Sequence, residues 1–425
     1  MPETDAGGAL PAQADVVVVG AGIIGLACAW YLLAAGRGVI LVDAGSAGGG
    51  ASHGNCGTIT PSHAPPLAEP GLPWQVLRWM TRADAPFYLK PRWDPALWRW
   101  LLMALRRCNR DDFERTAAIR GALLLESRDR LAGLLAEAGI DCGFERRGTL
   151  CVMRTRAAFD ASAGHARVLE RLGMPIEALH GAQVQAVEPA LLDEVRHAWL
   201  QPQDGHLRPD RLAAGLLGAV RARGARLLEN LAVRDFAREG GRVVGIDHDG
   251  GRIRAQAVVL AAGAWSPLLA RRLGLRLPVQ PGKGYSVTFD RPARAPAIPL
   301  VLEERSVCVT TWADGYRLGS TMEFSGYDAS LNPVRLAALR RAAAEYLHEP
   351  EGPAMREEWY GWRPMSPDDL PLVGPLRRHP GLWLATGHGM LGVSLAAVTG
   401  ALVADQVQGR APAALAAPLS PDRFG

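Results

Sequence analysis

Cysteine is scarce and unpatterned: six residues in 425 (Cys28, Cys56, Cys108, Cys142, Cys151 and Cys308), with no C-x-x-C and no Cys/His cluster. That argues against a disulfide framework and a zinc site, predicts no bound metal, and points to a reducing, cytoplasmic compartment. No run of five or six Lys/Arg occurs, and 47 basic against 43 acidic residues leave a net charge of +4, too weak and dispersed for a nucleic-acid surface. The opening MPETDAGGALPAQA lacks the basic-then-apolar order of an export signal and reads as a disordered lead-in. No fixed-period repeat is present, which removes solenoids and propellers. The two stretches free of Asp, Glu, Lys and Arg, 16–36 and 381–404, are each broken by glycines into strand, turn and helix, the outline of buried αβ units rather than membrane spans.

A hydrophobic share of 48% with 21% charged residues is that of a globular chain, and the length suits two or three compact units. A first βαβ unit is predicted over 14–60 and a mainly helical, tryptophan-rich stretch over 61–140. Paired strand follows at 144–155, a helix at 210–223 and a β-meander at 225–260. Strands at 285–289, 307–311 and 316–320, a helix at 333–347 and a final glycine-rich strand-turn-helix complete the order.

The most informative segment is DVVVVGAGIIGLACAWYLLAAGRGVILVDAG, 15–45. Gly20, Gly22 and Gly25 form a G-x-G-x-x-G between an apolar strand and a helix, with Ile23 and Ile24 opening the helix and Asp43 following the next strand. Gly20 permits a tight turn, Gly22 lets backbone approach a pyrophosphate, and Gly25 lets helix and strand pack closely. The helix N-terminus then offers unpaired N–H groups and a positive dipole end to a diphosphate. Asp43, followed by Ala44, can accept ribose hydroxyl protons and would repel a 2′-phosphate, which disfavours NADP. This motif alone does not separate FAD from NAD.

Six segments in order carry a resemblance: GAGIIG with Asp43; ASHGNCGTITPSHAPPLAEPG at 51–71; AVVLAAGAWS at 257–266; PGKGYSVTF at 281–289; GWRPMSPDDLPLVG at 361–374; and LATGHGMLGVSLAAVTGALVAD at 384–405. Over nearly its whole length the chain resembles the D-amino-acid dehydrogenase and glycine oxidase group of FAD enzymes. The resemblance implies an α/β fold: a Rossmann-type FAD-binding domain (1–62, 184–276 and 362–425) interleaved with an α+β substrate domain (63–183 and 277–361) on a mixed, largely antiparallel sheet. It also implies FAD contacts from Ala51, Ser52, Asn55, Gly57 and Thr58, from Val233, from Ala262 and Gly263, and from Gly389, Met390, Leu391, Gly392 and Val393. A helix starting at this last turn would face the flavin pyrimidine edge, where negative charge gathers on reduction.

The implied substrate is a D-amino or imino acid, whose carboxylate calls for planar bidentate recognition. Arg363 in GWRPMSPD resembles the group's carboxylate-binding arginine. Tyr285 resembles a strand residue facing the substrate, the alternative being a core aromatic. His53 is placed by the resemblance near the substrate amine or as a covalent attachment point, and His388 beside the flavin turn; for both, a positioning role is the alternative. The implied reaction is loss of an ammonium proton and hydride transfer from Cα to flavin N5, giving an imino acid that water converts to keto acid and ammonia. Met390-Leu391 departs from the longer polar residue of glycine oxidases, while Asn55 and Pro61 also suit D-proline or cis-4-hydroxy-D-proline dehydrogenases. Glycine or sarcosine oxidation remains a further alternative, as do an NAD-dependent dehydrogenase and a non-catalytic flavoprotein subunit.

The acceptor is expected to be a quinone or another carrier, with O2 the alternative. Five tryptophans (Trp74, Trp79, Trp93, Trp98, Trp100) with Arg78, Arg82, Lys90, Arg92 and Arg99 suit either a helical cover over the site or peripheral contact with the inner membrane face. Pro86, Pro91 and Pro95 favour the cover, because they interrupt any long amphipathic helix.

Overall fold

Runs such as Val16–Val19 and Val39–Val42, apolar on both faces, form central parallel strands, because only a sheet covered on both sides buries them. In the computed structural model, which describes residues 12–72, 87–410 and 413–424, five strands run parallel in the order Leu382–Thr386, Gly251–Leu260, Gln13–Val19, Val39–Val42 and Arg226–Leu228. The meander Val233–Glu239, Arg242–His248 and Gly251–Leu260 extends this sheet, and Leu372–Pro375 pairs antiparallel with Leu382–Thr386 on the same side. Helix Ile23–Ala34 follows the first strand and packs against the late helix Gly392–Val407. Their contact is close at Gly400, where a Cβ would stand 2.5 Å from the Ala27 carbonyl oxygen. Both charge-free stretches are thus buried strand-turn-helix units, and among the described residues no helix is long and apolar enough to cross a membrane.

Among the described residues the second sheet has nine strands and is largely antiparallel, with Met355–Met365, Gln280–Phe289, Gly315–Phe324 and Val307–Trp312 side by side. One face carries Tyr285, Val287, Phe289, Tyr316 and Leu318 into a core covered by helix Pro333–Ala344; the other turns toward the first sheet. Strand His197–Gln201 lies in this second sheet, so the chain returns to the first one near Pro209, later than the expected 184. Met355–Met365 likewise carries the second sheet to 365 rather than 361. Trp74, Trp79, Arg78 and Arg82 lie outside the described residues.

A buried carboxyl pins the loop after the glycine-rich turn to this framework. Asp204 is fully buried and accepts from Ser62 N at 3.0 Å and Ser62 Oγ at 2.6 Å. Burial pushes its pKa up to about 7, the Ser62 hydrogen bonds offsetting only part of the rise. Between about pH 4 and 7 the folded carboxyl keeps a proton that the unfolded one has shed, so its contribution to stability is present at the acid end and lost as pH rises. In urea titrations, Asp204→Asn is therefore expected to gain stability relative to the native protein on going from about pH 4 to about pH 7. A gap that stays constant would remove this assignment.

Candidate active site

Ligands of parallel α/β sheets bind beyond the carboxyl ends of the strands, and those ends converge here. Gly20 follows the first strand, Asp43 the second, Ala261–Gly263 strand Gly251–Leu260, and His388 strand Leu382–Thr386. With loop residues 44–60 and 231–234 and the facing wall of the second sheet, they enclose a cavity of about 980 Å³.

The turn at Gly20 has φ +105°, and a Cβ there would come within 2.5 Å of the Ala261 oxygen. A Cβ on Gly25 would overlap the Gly20 carbonyl oxygen, so only glycine allows this helix to start against the strand tip. The Asp43 carboxylate braces the turn, accepting from Ala21 N at 2.7 Å and Gly45 N at 2.9 Å. Ser52 Oγ accepts the Ile23 N–H at 3.0 Å; the next N–H groups of that helix have no intrahelical partner by geometry. Helices Pro95–Leu105, Arg110–Ala138, Arg156–Arg171 and Pro333–Ala344 are capped by the side chains of Asp94, Asn109, Thr155 and Asn332. The helices starting at Ile23 and Gly392 have neither a capping side chain at their N-cap residue nor an acid in the first turn. Both positive ends open on the cavity, an arrangement that suits a diphosphate at one and a charge-accumulating ring at the other.

Of the residues singled out from the sequence, Gly20, Gly22, Ile23, Ile24, Asp43, Ala44, Ala51, Ser52, Asn55, Thr58, Val233, Ala262, Gly263 and Gly389 to Val393 line this cavity, as do Tyr285, Arg363 and His388. Gly25 and Gly57 stand behind the wall. Gly57, at φ +74°, lies where a side chain would collide with the Leu207 carbonyl.

Arg363 projects from strand Met355–Met365 across Gly284, whose missing side chain makes room for the guanidinium. Its Nη1 donates to the Thr321 carbonyl at 2.6 Å. That carbonyl is presented by a bulge in which Ser320 and Thr321 both have positive φ (+112° and +73°), a strained arrangement for residues other than glycine. Among the described residues no carboxylate stands within ion-pair distance of Arg363. Burial lowers its pKa, and the charged groups that act on it are the thiols of Cys56 and Cys308; a guanidinium starts high enough to stay protonated.

Two expected site residues are engaged by partners of their own. Tyr285 borders the cavity, but its ring packs in the core of the second sheet, 1% exposed, and its hydroxyl donates to Glu323 at 3.1 Å. His53 does not line the cavity: its Nε2 meets Glu357 Oε1 at 2.9 Å. His388 lines it but is tied by Nε2 to Thr399 Oγ1 at 2.9 Å, and burial lowers its pKa to about 3, which keeps the imidazole neutral near pH 7. The sequence reading missed Cys56, His63, Cys308, Ser320, Trp359 and Trp362, all on the wall. Burial, then Arg120, lowers the His63 pKa to about 4.

The model of the family described as DAO, FAD dependent oxidoreductase, matches residues 15–406. The chain belongs to that family. It is 39% identical over 418 residues to a D-amino acid dehydrogenase of Paramagnetospirillum magneticum, covering 96% of this chain and 98% of the relative. A D-amino acid dehydrogenase of Granulibacter bethesdensis is 34% identical, covering 93% and 96%. Among solved structures, glycine oxidase from Geobacillus kaustophilus superposes with a TM-score of 0.79 at 26% identity, covering 97% of this chain and 99% of that one. L-proline dehydrogenase from P. horikoshii shares the fold, with a TM-score of 0.73 at 19% identity. This DAO member is therefore an FAD-dependent oxidoreductase, and the cradle fits its cofactor: two helix starts with no side-chain cap from their N-cap residue, a glycine turn pressed on Ala261, and an acid at the second strand's end.

Proposed function

We propose that this chain oxidises the Cα–N bond of D-amino acids, giving an imino acid that water converts to keto acid and ammonia. The observation that carries the reading is Arg363, a guanidinium on the cavity wall with no carboxylate partner among the described residues and one backbone acceptor fixing it. Its remaining N–H groups suit the two oxygens of a substrate carboxylate. The names of the full-length relatives support the same substrate class.

In this reading Gly20, Gly22, Ser52, Asp43, Val233, Ala262 and Gly263 hold the dinucleotide, and the Gly389–Val393 turn holds the flavin. When bound, FAD supplies the two-electron acceptor for the Cα–H bond. Arg363 fixes the acid end of the substrate, which sets the direction of Cα–H, so the protein contributes orientation and electrostatics. Burial keeps His63 and His388 neutral, so neither imidazole repels the substrate ammonium. Trp359 packs over Gly54 and Gly361, where any Cβ would overlap the indole. That flat wall favours a second reading, a cyclic imino acid such as D-proline or its 4-hydroxy derivative. Anaerobic bleaching of the flavin by D-amino acids, D-proline, glycine and L-amino acids separates these readings: acyclic D-amino acids are expected to bleach fastest. Bleaching by glycine alone, or by L-isomers, would sink the proposal.

The electrons leave, in this reading, to a quinone or another carrier at a membrane surface. Helix Pro95–Leu105 turns Leu97 and Trp100 inward, with Trp100 Nε1 donating to the Met365 carbonyl at 2.9 Å. It is thus a cover for the strand that carries Arg363. Its outer side leaves Trp98, Leu102 and Leu105 about half exposed, with Trp93 at 89%, beside exposed Arg99 and Arg106. Aromatic and basic residues together suit an anionic bilayer interface. Sedimentation with phosphatidylglycerol vesicles is expected to be reduced by the Trp93→Ser, Trp98→Ser double variant; equal sedimentation would dismiss the contact.

A further inference from the structure

Three residues stand in one row across the second sheet, on the face that meets the 53–57 loop. Ser286, Gly319 and Cys308 are cross-strand partners in register. Direct partners in adjacent antiparallel strands stand about 4.5–5.5 Å apart at Cα, so the Cys308 side chain rises beside the bare Cα of Gly319. That bare position is filled from elsewhere in the chain: a Cβ on Gly319 would overlap the Cys56 sulfur. The Cys56 thiol therefore lies against Cys308, in hydrogen-bonding reach, and both line the cavity.

The surroundings distinguish this pair from the other thiols. Arg317 Nη1 donates to the carbonyls of His53 at 3.0 Å and Asn55 at 2.8 Å, which sets its guanidinium against the segment that carries Cys56. Arg363 contributes a second positive charge. The hydrogen bond from Cys308, with these two guanidiniums, outweighs burial and draws the Cys56 thiol below its ordinary pKa, while Cys308 is pushed up. Burial pushes Cys28 up to about 12 and Cys142 up to about 11, which leaves them inert. A thiol drawn below its ordinary pKa and facing a cavity, next to a second thiol, is the arrangement of an attacking and a resolving cysteine.

We propose that Cys56 and Cys308 are a reversible oxidation site that, on meeting hydrogen peroxide, fastens the 53–57 loop to the substrate sheet beside Arg363. The Cys56 sulfur attacks one peroxide oxygen; the O–O bond breaks, and the departing hydroxide takes up a proton to become water. The resulting sulfenic sulfur is attacked by Cys308; the S–O bond breaks, and the Cys308 proton leaves with the hydroxyl as a second water. Two thiols are oxidised by two electrons and one peroxide is reduced to two waters. The disulfide draws the loop toward Cys308 and shifts the surroundings of the carboxylate clamp.

The test uses the FAD-loaded protein, treated with stoichiometric peroxide, blocked with iodoacetamide and digested with trypsin. Mass spectrometry is expected to find peptide 38–78 joined to peptide 306–317, the link disappearing with dithiothreitol. Cys56→Ser and Cys308→Ser proteins are expected to give no such link. In the oxidised native protein KM is expected to rise by roughly tenfold, equivalent to ~1.4 kcal/mol, with flavin content unchanged. Recovery of both peptides alkylated, or of an oxygenated Cys56 peptide with Cys308 still alkylated, overturns the proposal. The peptide readout needs no turnover, so it stands apart from the identity of the substrate.

Discussion

Replacing Arg363 with alanine is expected to leave a yellow, folded protein whose kcat/KM for a D-amino acid falls by two to three orders of magnitude. Truncating one partner of a desolvated, hydrogen-bonded charge pair costs about 2–5 kcal/mol, which at about 1.4 kcal/mol per decade is roughly 30-fold to a few thousand-fold. Lysine is expected to recover only part, since an ammonium keeps the charge but not the planar fork. Gly284→Ala gives a sharper test because it removes no charge. The new methyl would occupy the space of the guanidinium itself, so the arginine must swing off its Thr321 anchor, and turnover should fall toward that of Arg363→Lys. Flavin absorbance together with separate kcat and KM values distinguishes a misplaced clamp from a lost cofactor. Arg363→Ala protein with unchanged turnover and KM would end the proposed role.

The second large effect concerns the cofactor. Gly25→Ala is expected to yield protein that purifies without colour and does not take up added FAD. The added Cβ would overlap the Gly20 carbonyl oxygen, and neither side can yield cheaply. Gly20 ends a strand hydrogen-bonded on both flanks, to Val39–Val42 and to Gly251–Leu260, and Gly25 lies in the first turn of a buried helix. Relief requires helix and strand to part, which moves the N–H groups from the diphosphate; overpacking of this kind costs about 1–3 kcal/mol or more in stability. Gly133→Ala serves as the matched control. It is exposed within helix Arg110–Ala138 with nothing near its absent Cβ, so the same change there should stabilise by about 0.5–1 kcal/mol. Retained colour in Gly25→Ala would contradict the packing argument.

The dinucleotide cradle was legible because it is local: glycines, apolar strand and acid fall within thirty residues, and each is required by backbone geometry there. Arg363 was legible only through resemblance, since nothing in its own neighbourhood reveals that Gly284 and Thr321 receive it. Tyr285 meets both readings given for it, bordering the cavity while its ring packs in the core. The alternation Tyr285-Ser286-Val287-Thr288-Phe289 sets the Tyr285 ring on the apolar face with Val287 and Phe289, whose core it joins, and leaves Gly284, Ser286 and Thr288 on the other. His53 was misread because its partner, Glu357, lies 304 residues away. The Ser320–Thr321 bulge carries no glycine to announce it, and the contact between Cys56 and Cys308 exists only because Gly319 is empty above the sheet.

The contact between Ala27 and Gly400 bears on how the holoprotein is born. Helix Gly392–Val407 is made long after the helix at Ile23–Ala34, yet it lies against that helix and supplies the Gly392 end of the cavity wall. A nascent polypeptide can lay down its first βαβ unit early, but its prosthetic group has no complete berth until the helix at Gly392–Val407 has also emerged. A message cut short before that helix should therefore yield an apoprotein destined for proteolysis rather than a slow enzyme.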